Sequence, residues 1–207
     1  ICSTERHLAL AADLTDLMRT TISEGLVITL PRDVYMAEYR ADAPPGMPLD
    51  SQYGLCFRAC LAHMIQMILN RGGSGHSLHV VIEQGHKNVG DCIRIFYEIK
   101  KEQTLRGTNI LETITIAEKT DPKAKPLMVA DFLAHSHYLF DAASKDGKAP
   151  TYAEMTVGIP NKKYMMLFRL EALRGLKEQF IAEKKRRADW SAAKKAKWVA
   201  SAGGQLS

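Results

Sequence analysis

Glu83 closes the apolar run Leu78-His79-Val80-Val81-Ile82-Glu83, directly before Gln84-Gly85. A carboxylate at the carboxyl end of a strand stands where open α/β sheets bind ligands, because loops diverge and helix N-termini point there. Asp131 interrupts a second apolar stretch, Pro126-Leu127-Met128-Val129-Ala130-Asp131-Phe132-Leu133-Ala134. Aspartate is a modest helix former, and an ionised carboxylate in apolar surroundings is paired, protonated or bound to a cation, since burying it alone is costly. Acids on strand ends together with an acid on a later helix suit hard divalent ions, because Mg²⁺ and Mn²⁺ prefer oxygen ligands and retain several waters. Two such ions can align a water and stabilise the leaving oxygen in phosphodiester cleavage.

Each candidate also has an ordinary explanation. Glu83 would serve equally as a solvated strand-end acid, and Asp131 could bond privately to His135, one helical turn on. Glu118 and Asp121 follow the strand Ile110 to Ala117 and could reach the same sheet edge, or simply form a polar turn. His86, Lys87 and Asn88, in the loop after Glu83, could contact phosphate or stay solvated. No phosphate-cradling glycine loop, dinucleotide fingerprint, nucleophile elbow or His-Glu-x-x-His zinc motif is present.

The elements that must position these residues are legible from periodicity. Helical spacing runs from Leu8 to Ile22, a strand spans Leu26 to Leu30, and the proline-rich stretch Ala41 to Leu49 is a loop. Asp50-Ser51 offers an N-cap for a helix whose apolar stripe reaches Asn70. The strand Leu78 to Glu83 is apolar on both faces and is therefore expected to be central and covered on both sides. A helix over Asp91 to Gln103, the strand Ile110 to Ala117 and a helix over Leu127 to Ala142 follow. This alternation predicts an α/β fold with parallel pairings.

Composition narrows the class. A chain of 207 residues, 46% hydrophobic, can bury one sizeable core. No apolar run approaches the roughly 20 residues that span a bilayer, so no membrane partner is expected. Four cysteines without a Cys-x-x-Cys pair fit free thiols in a reducing cytoplasm. Between Asn161 and Ala200, twelve Lys and Arg stand against four Asp and Glu, whereas the whole chain carries only +5. The basic excess thus belongs to a C-terminal extension, read here as residues 149–207 after an α/β core over 1–148. From Tyr164 onward Met165, Phe168, Leu173, Leu176, Phe180 and Ile181 suggest a helical apolar face, which could pack on the core or form a homo-oligomer. Lys184, Lys185, Arg186 and Arg187, with Trp190 and Trp198 beyond them, suit contact with nucleic acid, since cations release counterions from phosphates and tryptophan stacks on unpaired bases.

The tract Leu78 to Asn88, the Pro126 to Ala134 helix and the Tyr-Gly-Leu-Cys-Phe-Arg-Ala stretch at Tyr53 to Ala59 resemble the family called domain of unknown function 3800, over roughly Leu8 to Phe140. The resemblance implies a ribonuclease-H-like mixed sheet flanked by helices, with a metal-binding acid at Glu83 and another in the Ala130-Asp131 pair. Family members carry their first acid in an N-terminal Asp-Glu-Ser-Gly motif, which this sequence lacks, and Glu83 stands where aspartate is commoner. Because the chain opens on Ile1 rather than methionine, the expectation is that N-terminal strands carrying that acid precede it. The function expected is a nuclease dependent on Mg²⁺ or Mn²⁺ that uses Glu83, Asp131 and Glu118. The alternative is a non-catalytic nucleic-acid- or protein-binding module on the same scaffold.

Overall fold

The computed structural model describes residues 25–41, 43, 49–72, 75–118, 120–145, 163–167 and 170–203, together with Arg6, Ala9, Ala12, Asp13, Asp16 and Thr20, which are all helical. The chain divides into two compact units, one formed by Ile1–Thr29 and Asp50–Leu167, the other by Leu30–Leu49 and Phe168–Ser207.

In the first unit, strand β1 (Gly25–Thr29) precedes helix α2 (Gln52–Asn70), strand β2 (Leu78–Glu83), helix α3 (Val89–Leu105) and strand β3 (Leu111–Ala117). A 3₁₀ turn (Pro122–Ala124), helix α4 (Lys125–Lys145) and strand β4 (Lys163–Leu167) complete it. The helix α1 (Arg32–Val34) belongs to the second unit. Ser51 caps α2, its side chain accepting from the Gly54 amide, as its position before the apolar stripe predicts.

The strands form two parallel pairs, β1 with β4 and β2 with β3. The mixed α/β class and the parallel pairings therefore agree with the sequence pattern. Helix α3 joins β2 to β3 as a crossover, the connection that parallel neighbours require. Leu61, Phe96 and Leu111 centre the core, with Phe57, Ile65, Leu78, Val80, Ile99 and Ile114 packed around them, so α2 and α3 cover one face of the β2–β3 pair. Buried Gln103 ties the end of α3 to the start of β3, accepting from the Leu111 amide at 2.9 Å.

Two expectations need correction. Among the described residues β2 has one hydrogen-bonded neighbour, β3, rather than a central place. Its second face is not covered throughout: His79 is exposed and bonds across the ladder to Thr113 at 2.9 Å. Tyr164 to Leu167 is strand, not the start of a helix. That run is short and apolar, and for such runs periodicity does not separate strand from helix. The partner that decides it, β1, lies far back in the chain.

In the second unit α1 runs into a π-helix (Tyr35–Arg40), closed by the Ala41 amide donating to the Met36 carbonyl at 2.8 Å. The long helix α5 (Leu170–Gly203) packs against this π-helix. Arg174 grips Glu38 with two hydrogen bonds, of 2.5 and 3.0 Å, and holds its carboxyl below the usual range. Among the described residues of this unit Leu30, Tyr35, Tyr39, Leu49 and Leu173 are buried, with Tyr35 and Tyr39 stacked at 5.8 Å.

Candidate functional site

The parallel pairing carries two strand ends to one edge. Glu83 is in register with Ala117, and the Gln84 amide beyond it donates to the Ala117 carbonyl at 2.8 Å. Glu118, the next residue on β3's side, therefore emerges beside the end of β2. Glu83 is half-buried and Glu118 exposed. The chain then folds back: the Asp121 amide donates to the Glu118 carbonyl, the Ala124 amide to the Asp121 carbonyl, and α4 begins. Helix α4 approaches both β1 and β2.

The loop after Glu83 turns at Gly85, whose φ of 88° is open to glycine at little cost. His86 follows, exposed, with its ring 4.2 Å from that of Tyr53 and tilted by 32°. The Asn88 amide donates to His86 Nδ1 at 3.2 Å, so the ring proton lies on Nε2. Asn88 accepts from the Asp91 and Cys92 amides and so starts α3, while Lys87 is exposed. Burial, then the charges of neighbours that include Cys92, Cys60 and Asp131, push the Tyr53 phenol above its ordinary value.

Asp131 itself is exposed. The apolar segment around it does not enclose it, because α4 turns this position outward, where an ionised carboxylate needs no partner. His135 is exposed as well, and no bond between the two is formed among the described residues. The structure thus gathers Glu83, Glu118, His86, Lys87 and Asn88 at one sheet edge, while Asp131 lies on α4, the helix that approaches β2. It does not bring three metal-ligating side chains together: no such group occurs among the described residues.

The basic candidates lie in the second unit. Lys184, Lys185 and Arg186 are exposed on α5, and Arg186 pairs with Glu183. Arg187 lies in the same helix, and its side chain is outside the described residues. Trp190 is 67% exposed, with Lys194 Nζ 5.2 Å from its ring centroid.

Sequence reasoning overlooked the strongest polar cluster of the first unit. Asp50, fully buried, accepts from Arg58 at 2.6 and 3.1 Å and from Arg94 at 2.5 Å. Glu98 accepts from Arg58 at 2.8 Å and from Arg94 at 2.7 Å, and Arg94 also pairs with Asp91. Asp91 in turn accepts from the Ser51 amide and hydroxyl at 2.8 and 2.7 Å. Burial alone would lower the Arg94 pKa, but its bonds to Asp50, Asp91 and Glu98 raise it. The local signals were Ser51 as a cap and Arg94 to Glu98 at helical spacing. Nothing local marks Asp50 as the partner of Arg94, 44 residues away.

Burial raises the free thiols Cys56 and Cys60 to about 11 and Cys92 to about 12. None is poised as a nucleophile. No described helix is long and apolar enough to cross a membrane. Compared with known proteins, the chain matches no family model, no curated protein and no solved structure.

Proposed function

We propose that this protein is a divalent-metal-dependent nuclease of ribonuclease-H-like type, related to the domain of unknown function 3800 family, with Glu83 and Asp131 as metal ligands and Glu118 as a third carboxylate. One observation supports it most: the parallel β2–β3 register carries Glu83 and Glu118 to a single sheet edge, where the His86 loop also lies. The donor chemistry suits Mg²⁺ or Mn²⁺, which need only one or two carboxylates besides waters and substrate phosphates. When bound, such ions supply an activated water and neutralise charge on the phosphate.

The chain's own groups then divide the remaining work. Glu83 and Glu118 present oxygen acceptors at the edge, and His86, its proton on Nε2, can donate to a phosphate oxygen. Lys87, exposed beside it, adds positive charge for the polynucleotide backbone. In this reading the protein acts in the cytoplasm, where its free thiols stay reduced.

The test is cleavage of labelled RNA and DNA by the full-length protein with Mg²⁺, with Mn²⁺ and with EDTA. Metal-dependent cleavage that disappears in Glu83→Gln and Asp131→Asn supports the assignment, and cleavage unchanged in both removes it.

A second reading rests on the second unit, where exposed Trp190, Lys194 over its ring, and exposed Lys184, Lys185 and Arg186 share one helix. This is a non-catalytic module that binds nucleic acid through α5, with the acids structural. Salt-sensitive binding without metal-dependent cleavage, weakened by alanine at Lys184, Lys185 and Trp190, distinguishes it.

A further inference from the structure

The Tyr53 and His86 pair has no work in the folding core. Tyr53 sits in the first turn of α2 and is 43% exposed, unlike Leu55 nearby, which is 1% exposed. His86 is exposed as well, yet its ring is held from two sides, by the Tyr53 face at 4.2 Å and by the Asn88 amide on Nδ1. Two exposed rings fixed in a near-stacked arrangement form a surface onto which a third flat ring can be added without ordering either side chain anew. That is the condition under which aromatic contact yields affinity, because the entropy of immobilising the rings has been spent in folding.

The location restricts what the third ring can be. His86 lies three residues past Glu83, at the end of β2, and its ring is 4.2 Å from that of Tyr53, so the rings adjoin the carboxylate edge. With Nδ1 engaged, His86 offers the Nε2 proton, a donor for a base carbonyl, a ring nitrogen or a phosphate oxygen. A planar group joined to a phosphate satisfies both features. In a duplex the base faces are covered by their neighbours, whereas in a single strand they can be splayed out onto aromatic side chains.

We propose that Tyr53 and His86 form the stacking platform for an unpaired nucleobase, so that the sheet edge takes single-stranded rather than double-stranded nucleic acid. This rests on the reading of that edge as a nucleic-acid site, and it adds Tyr53, which would set the substrate's strandedness.

Binding is measured in EDTA, so that the result does not depend on cleavage. A short labelled single-stranded oligonucleotide, its duplex and a mononucleotide are titrated into the full chain by fluorescence anisotropy, at salt high enough to suppress contacts made by basic residues alone. The His86 ring protons are followed by NMR in the same titrations. The expected result is single-strand binding that perturbs the His86 protons, weakens about tenfold or more in Tyr53→Ala, and survives within about threefold in Tyr53→Phe. The duplex should bind more weakly and be indifferent to Tyr53. Mononucleotide binding as tight as the single strand's would assign the platform to a free nucleotide and overturn the strand assignment. Absence of single-strand binding, or binding with silent His86 protons and no loss in a folded Tyr53→Ala variant, overturns the platform itself. Tyr53-dependent binding without any metal-dependent cleavage would instead retain the platform and remove the nuclease.

Discussion

The Asp91 carboxylate lies so close to Gly54 that a Cβ at position 54 would stand 2.1 Å from Asp91 Oδ2. The first turn of α3 is thereby locked to the first turn of α2, since the same carboxylate oxygen accepts from the amide and hydroxyl of Ser51, the cap of α2. The glycine is needed for space rather than for backbone freedom. Both helices lead into the candidate edge: Tyr53 precedes Gly54, and Asn88 caps α3 just after His86.

Gly54→Ala should therefore destabilise the protein by about 3 kcal/mol, in the range for overpacking a tight contact. Urea unfolding measures it. Combining it with Asp91→Ala should cost less than the sum of the two single changes, because the clash disappears with the carboxylate. Strict additivity would show that the contact is not the cause.

Arg58→Met removes one of the two guanidinium groups, Arg58 and Arg94, that pair with fully buried Asp50, and a loss of about 3 kcal/mol is expected, as for breaking a buried pair. The double change Asp50→Leu with Arg58→Met should recover part of that loss, because an apolar pair leaves less uncompensated charge. If the double variant is less stable than Arg58→Met alone, the cost lies in packing instead.

Acid should weaken the same cluster. Burial alone would raise Asp91 and Glu98, but hydrogen bonds from Ser51 and Arg94 hold Asp91 below the ordinary range, and bonds from Arg58 and Arg94 do so for Glu98. A depressed folded-state pKa contributes stability that is complete above the unfolded value, about 4, and is lost as pH falls through the folded value. The urea midpoint should thus hold between pH 7 and 5 and drop below about pH 4. In Asp91→Asn the drop should be shallower, and an identical profile would exclude Asp91 as a contributor.

Cys56, Cys60 and Cys92, raised to about 11, 11 and 12, should resist alkylation. At pH 8 a thiol of pKa near 11 is thiolate roughly one part in a thousand. Peptide mass spectrometry after iodoacetamide should find these three unlabelled in the native protein and labelled in urea. Fast native labelling of Cys92 would contradict its burial.

Within the proposed nuclease, Glu83→Gln and Asp131→Asn should each lower metal-dependent cleavage by about a hundredfold or more, since each removes a ligand charge from the ion. Glu118→Gln should cost less, because in this reading Glu118 is a supporting third carboxylate and Glu83 and Asp131 are the ligands. Equal activity in all three variants would end the carboxylate assignment.

What the sequence determined by itself is local. The α2 stripe, read as following the Asp50-Ser51 cap and reaching Asn70, lies within Gln52–Asn70; the helix read as Asp91 to Gln103 is Val89–Leu105; and the strand read as Ile110 to Ala117 is Leu111–Ala117. Periodicity, caps and turn residues act within a few positions, so they can be seen in a string of letters. Glu83 was legible as a strand-end acid for the same reason. Its register with Ala117, and so its nearness to Glu118, came from the pairing of two strands.

The tertiary structure decided everything that joins distant segments. It made Lys163–Leu167 a strand by supplying β1 as its partner, and it turned Asp131 outward although its neighbours in sequence are apolar. It also gathered Asp50, Arg58, Arg94 and Glu98 into one network and set Asp91 against Gly54. Charge pairs and close approaches of this kind depend on where helices cross, and that is settled by burial of the shared core, not by the spacing of residues along either helix.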